Sequence, residues 1–457
     1  MLIAMPCLAQ AAPGRTRAPA RPIFWANRYG ARGDAATLDT AAIQKALDAA
    51  RRRHGLVAFQ PGIYLTGALF VKSGTELRVG RGVTLRGMDT LAGYPLLPTR
   101  VAGIEMRWPA ALINVVGQHD VAIGGAGTID GDGPPWWRRY WRLRRKYQPE
   151  GLRWAADYDC RRPRLIQIYN SRRVTLTGLR LIRSGFWTVH ICYSRHVRVD
   201  GLTIRNNIGG RGPSTDGVDV DSSSYVLVER CDISNNDDAL CLKAGRDADG
   251  LRVNRPATHV VIRDCIVRDS AAGFTIGSET SGGFRDIEVY GLTVLSRVRA
   301  GIKFKSAHTR GGGADGVRIH DIVLRGVPVP FDFNMNWDPN YSYARLPAML
   351  HSIPAYYRII TRPVPAAEGL PHFRRVRIWN VRATGAQRAF AAAAFPQAPM
   401  VNFRFRNLQI FARAAGSIRD ARDWTFLHAR IHTQDGSRVR LVDCRHVRGL
   451  PPARAAH

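Results

Sequence analysis

The segments VTLTGLRLI (174–182), VRVDGLTI (197–204), VLVERCDI (226–233), VVIRDCIV (260–267) and IEVYGLTV (287–294) share one pattern, and that pattern decides the fold. Each has apolar residues at positions one and three, a bend near position five, and apolar residues again at six and eight. This is the period-two alternation of a strand with one buried face, broken by a tight turn. From Val174 to Val317 the units return after 23, 29, 34, 27 and 30 residues. No helical periodicity fills the intervals. A chain that bends and returns in this way stacks as coils, each strand pairing in parallel with its equivalent one coil on, and surplus residues leave as loops. Further units begin at Val121, Val317, Val376, Phe403 and Val439. Cys231 and Cys265 fall in one slot of adjacent coils and read as an interior ladder. The expected fold is all-β, a right-handed parallel β-helix.

One helix is predicted, over 37–51, with Thr40 as its N-cap and Ile43, Leu47 and Ala50 on one face. Its place is over the open N-terminal end of the solenoid, where bare strand edges invite aggregation. The stretches 134–163 and 328–372 do not fit coils and read as long loops, which on a rigid scaffold often carry function. Residues 1–22 read as the remnant of a secretory leader and a Pro/Arg-rich linker. Residues 23–457 read as one β-helix domain of a secreted or periplasmic monomer.

The formal charge is 67 − 36 = +31 over 457 residues. Such a field favours acidic partners: nucleic acid, anionic membrane or uronic-acid polysaccharide. The basic residues are spread along the chain, with no dense block longer than Arg138 to Lys146 and no recognisable nucleic-acid module. No run of eighteen apolar residues offers a membrane span. Seven cysteines, Cys7 among them, show no zinc-ligand spacing, and the six beyond Cys7 read as buried free thiols. No metal or cofactor is expected.

Acidic residues are scarce in this basic chain, yet 214–245 holds Asp216, Asp219, Asp221, Asp232, Asp237 and Asp238. Asp237 and Asp238 lie at offsets 11 and 12 from Val226, and Asp216 at offset 19 from Val197, one coil earlier. Coils are about 4.8 Å apart, so two or three carboxylates can share one groove. Glycoside hydrolysis needs such a set: one protonated carboxyl for the leaving oxygen, a second carboxylate to activate water or attack the sugar. Crowded like charges raise one pKa and supply the acid. Solvent-facing Asx turns or a calcium site are the other readings of an acidic loop.

Here the chain resembles glycoside hydrolase family 28, the polygalacturonase family. Ser214-Thr215-Asp216, Asp237-Asp238, Ala271-Ala272-Gly273 and Lys303-Phe304-Lys305 stand in the order of the family's Asn-Thr-Asp, Asp-Asp, Gly-His-Gly and Arg-Ile-Lys blocks. YGARGD near the start and GTIDGDGPPWW (127–137) resemble further family segments. The resemblance implies inverting hydrolysis of galacturonate-containing pectin, with Asp237 as acid and Asp216 with Asp238 positioning water. It implies that Lys305 contacts a galacturonate carboxylate, and that Lys303, lacking arginine's fork, holds it more loosely. Ala272 replaces the family histidine, which would leave room in the groove and opens a rhamnogalacturonan-type substrate as an alternative.

By position, Lys243, Arg246, Glu279, His308 and Arg310 join the candidate substrate-binding set. Trp136 and Trp137 read as loop aromatics able to stack on sugars, Trp187 as core, and His190 as structural. A pectate-lyase-type elimination and a non-catalytic polysaccharide-binding β-helix are the competing functions.

Overall fold

The computed structural model describes residues 21–346 and 353–450 and the backbone of 454–455. The leader reading and Cys7 fall in residues 1–20, outside the described residues. Parallel pairing begins at Ile23–Trp25 on Leu56–Ala58 and continues coil by coil to Thr425–Thr433 and Arg440–Val442, forming a right-handed parallel β-helix. A separate antiparallel hairpin, Leu96–Val101 with Ile104–Pro109, stands off the solenoid.

The repeat read from the sequence is a register of the structure. Val121, Val174, Val197, Val226, Val260, Ile287, Val317, Val376 and Phe403 pair successively along one sheet, here called the outer sheet. The bend at position five is left-handed backbone at Gly178, Gly201, Arg230, Asp264, Gly291, Asp321, Asn380 and Asn407, with φ between 53° and 69°. Gly, Asn and Asp tolerate that conformation best. The inward residues stack into a continuous core of buried Val, Ile and Leu, each worth about 1.5–3 kcal/mol on burial. Toward the C-terminus the ladder turns aromatic, with Phe304 on Phe333 at 4.6 Å and Phe403 on Trp424 at 4.6 Å. Cys231 and Cys265 are buried in adjacent coils and carry no disulfide.

Several readings change. Val439 does not start a coil of the outer sheet: Leu441 pairs with Ile418 in another sheet, and the next outer strand is Thr425–Thr433. Exposed residues between its apolar positions hid it. The N-terminal helix α1 spans Thr40–Arg51 and buries Ile43, Ala46, Leu47 and Ala50. Thr40 is not its N-cap; the hydroxyl accepts from the Gly67 N–H instead. The stretch 134–163 is no loop but holds helix α2, Gly133–Tyr147, packed through Trp136, Trp137 and Tyr140. Within 328–372, Val329–Asn334 is a solenoid strand, and three short helices follow among the described residues.

Candidate active site

A second sheet, the groove sheet, carries the carboxylates. Its strands include Val189–Cys192, Val218–Asp221, Asp238–Lys243 and the ends of Ile266–Ile276 and Thr293–Lys305, all in register. Alternation sends Val218, Val220, Leu240, Leu242, Ile302 and Phe304 into the core. The intervening Asp219, Asp221, Lys243, Lys303 and Lys305 therefore project from the opposite face. Asp216 stands level with Asp238, since the Gly217 N–H donates to the Asp238 carbonyl. Ala272 takes the same slot one coil on.

Two lysines organise the acids. Lys305 Nζ lies 2.7 Å from Asp238 Oδ2. Lys243 Nζ lies 3.2 Å from Asp216, 3.4 Å from Asp219 and 3.6 Å from Glu279. Burial works to raise the Asp238 carboxyl, but Lys305, with Lys303 and Lys243, outweighs it and draws the pKa down to about 2. Its neighbour Asp237 moves the other way, pushed up by burial and then by the Asp238 charge. Asp237 keeps part of its surface open to the recess, with protein on its other sides. Asp216 is raised by burial and by Asp219, and Asp219 is pushed up to about 7, mainly by burial. One carboxyl of the adjacent pair is thus held ionised and the other biased toward its acid form.

Three insertions wall the recess above these groups: Ala102 of the antiparallel hairpin, Arg153 and Asp157 from the segment after α2, and Trp337 and Tyr341 from the third. Arg246 ties them together. Its guanidinium donates to the Tyr158 hydroxyl and to the Tyr341 and Ser342 carbonyls, and its own N–H to the Gly103 carbonyl. Tyr158 in turn donates to the Ala102 carbonyl at 2.8 Å. Gly103 has φ +91°, and a Cβ there would stand 2.3 Å from the Arg246 Cβ, so only glycine fits that crossing.

The predicted residues divide. Asp216, Asp237, Lys243, Glu279 and Lys305 line the recess, and Asp238 sits beneath it on Lys305. Arg246 and Arg310 do not face it: both are fully buried, and Arg310 is spent on Asp247 and the Ser278 and Ser342 carbonyls. His308 is exposed and stacks on Tyr343 at 4.2 Å, away from the acids. Lys303 turns to Asp332 at 3.5 Å. Ala272 is fully covered, so the expected vacant room is not there. Trp136 and Trp137 are buried in α2 and are not loop aromatics, while Trp187 is core as read, buried against Phe186 beneath the recess with Lys243 Nζ 4.8 Å over its ring. His190 is buried on Asp221 and held neutral, its pKa lowered to about 4 chiefly by burial.

Sequence reasoning missed Asp219, Arg153, Trp337 and Tyr341. Asp219 had a signal: alternation in Val218-Asp219-Val220-Asp221 puts it on the outward face. The others come from insertions with no periodicity to read. Arg153 is notable because its Nε has no hydrogen-bond partner, while its Nη1 lies 3.4 Å from Asp157.

The family profile of Glycosyl hydrolases family 28 matches residues 64–345, more than half of the chain. The chain belongs to that family. Among family 28 relatives, a grapevine (Vitis vinifera) protein named probable polygalacturonase is 30% identical over 321 residues, covering 68% of this chain and 60% of its own length. The endo-polygalacturonase of Pectobacterium carotovorum is 29% identical over 312 residues, 64% of this chain and 70% of that one. In structure, the Thermotoga maritima exopolygalacturonase superposes with a TM-score of 0.73 at 24% identity, covering 94% of this chain and 93% of that one. The Erwinia carotovora polygalacturonase gives 0.63 at 19% identity, over 94% and 100% of the two chains. No helix among the described residues is long and apolar enough to cross a membrane.

Proposed function

We propose that this family 28 chain is an inverting glycoside hydrolase that releases terminal galacturonate from pectic polysaccharide. The observation that carries the reading is the Asp237–Asp238 pair, adjacent in sequence and shifted in opposite directions, one lining a walled recess and the other directly beneath it. Asp237 donates its proton to the glycosidic oxygen as the bond to the anomeric carbon breaks. Asp238, ionised on Lys305, takes the proton of the water as it attacks from the opposite face, and Asp216, held by Lys243, orients that water. Trp337, half-buried at the recess, offers an aromatic surface for the sugar. Arg153, a cation of the recess lining, meets the substrate carboxylate, a task the family's motif gives to an arginine at position 303, where Lys303 is turned aside.

The walls favour a chain end over a chain interior. Hairpin, α2 segment and third insertion, locked by Arg246, close over the acids, and an open cleft is what a mid-chain cut requires. A polymeric substrate of this kind is met outside the cytoplasm, which fits a secreted or periplasmic enzyme. The test is product analysis on homogalacturonan, rhamnogalacturonan and xylogalacturonan in parallel, with wild type and Asp237→Asn. Monomeric galacturonate with little early viscosity loss, abolished in Asp237→Asn, is the expected result. Unsaturated products would mean elimination, and binding without turnover on every fraction would mean a non-catalytic β-helix.

A further inference from the structure

Between residues 372 and 450 the chain has fifteen arginines, four aspartates and no glutamate or lysine. All fifteen arginines are exposed. Parallel register arranges part of this charge. On the outward face of the outer sheet, Arg318, Arg377, Arg404, Thr425 and Arg448 follow one another in a single column. The neighbouring column runs His320, Trp379, Arg406 and Leu427.

In earlier coils several arginines of this face carry an acidic partner. Arg173 pairs with Asp120 at 2.6 Å, Arg198 with Glu229 at 2.7 Å, Arg263 with Glu229 at 2.6 Å, and Arg318 with Glu288 at 3.2 Å. In the two columns the pairing stops at Arg377. Arg377, Arg404, Arg406 and Arg448 have no carboxylate within ion-pair distance among the described residues; Arg404 has only the Asn402 side-chain oxygen at 3.2 Å. Arg404 and Arg448 line a groove of about 510 Å³. Its one carboxylate, Asp423, is engaged by His446 at 3.0 Å and Arg422 at 3.7 Å.

We propose that this arginine ladder is a second binding site, which takes an extended polyuronate chain. Guanidinium groups recur about every 4.8 Å or a small multiple of it along the solenoid. A polyuronate has one carboxylate per sugar, so its charges repeat on a similar length, and the arginine fork suits a carboxylate. The indole of Trp379 and the exposed Leu427 border the ladder and offer apolar surface to sugar rings. The ladder lies on a different sheet from the recess and beyond its strands, so it holds polymer without shaping the cleaved bond. It is independent of the hydrolase reading in its geometry and shares only the substrate's chemistry.

The test uses the full chain with Arg377, Arg404, Arg406 and Arg448 all changed to glutamine, all exposed positions. Binding is read by affinity electrophoresis through polygalacturonate, neutral galactan and duplex DNA, and turnover on trigalacturonate. Polygalacturonate binding should weaken at least about tenfold, galactan mobility should not change, and trigalacturonate turnover should stay within about twofold. The corresponding four-lysine variant should keep most of the binding. Unchanged polygalacturonate retardation overturns the proposal, as does tighter binding of DNA than of polygalacturonate through the same four arginines. Because the readout is binding, it stands even if no pectic fraction is cleaved.

Discussion

Replacing Lys305 with methionine isolates the charge that keeps Asp238 ionised. The two groups are 2.7 Å apart and nearly fully buried. At an effective dielectric near 20, unit charges at that distance attract by about 6 kcal/mol. Removing one partner of a buried pair costs about 3–5 kcal/mol in practice. One pKa unit is about 1.4 kcal/mol, so Asp238 should rise by roughly two to three and a half units from its present value of about 2. The sign follows: Asp238 must be ionised to take a proton from water, so activity falls as pH drops through its pKa. The assay is kcat/KM on oligogalacturonate from pH 3 to 8. The acid limb of Lys305→Met should move up by at least about two units, while Lys305→Arg, which keeps the charge, should stay near wild type. Linkage gives a second readout. A depressed carboxyl adds stability above its unfolded pKa and loses it as pH falls through the folded one. The melting temperatures of wild type and Lys305→Met should therefore converge toward pH 2. An unmoved acid limb, or an equal shift in Lys305→Arg, refutes the reasoning.

Asp219 gives the opposite sign: its carboxyl, raised to about 7 by burial, binds a proton in the fold that the unfolded chain has lost. Asp219→Asn should match wild type in thermal melting at pH 4 and exceed it by a few degrees at pH 8; lower melting at both would contradict this. Arg153→Met should raise KM on oligogalacturonate about 10- to 100-fold with kcat little changed, and Arg153→Lys should recover part of the loss; an unchanged KM places the carboxylate contact elsewhere. Arg246→Met removes a fully buried hub and should destabilise by about 3–5 kcal/mol. It should also loosen the walls, measured as more viscosity loss per new reducing end; an unaltered ratio would show that Arg246 does not govern access.

What could be read from the sequence was what the solenoid repeats. Val174, Val197 and Val226 announce the coil because each lies in the same slot, whereas Asp216 at offset 19 and Asp238 at offset 12 come level only because the earlier coil loops out its surplus residues. The αL bend was legible at Gly178 and Gly201 and less so at Arg230, whose side chain gives no hint of a positive φ. Arg246 and Arg310 were misjudged for a different reason. Position along the chain placed them just after site strands, but insertions fold back over that edge, and a buried guanidinium with main-chain acceptors looks in sequence like any other arginine. The same blindness hid Arg153 and Trp337, which reach the recess through segments with no period.

This division has a chemical consequence. Asp238 opens a strand, and Asp216 and Asp237 stand within two residues of one, so their spacing is tied to main-chain hydrogen bonds that cannot shift without breaking the ladder on both sides. The residues that wall the recess, Arg153 and Trp337 among them, stand on insertions held by side chains such as Arg246 and Arg310. Changes in the insertions can therefore alter which sugar enters and from which end, while Asp216, Asp237 and Asp238 keep their geometry. Ala272 fits that account. It occupies the ladder slot next to Asp238, yet it is fully covered and makes no opening of its own. On the proposed reading, Arg153 and Trp337 line the recess and Ala272 does not, so substrate choice should respond to them before it responds to position 272.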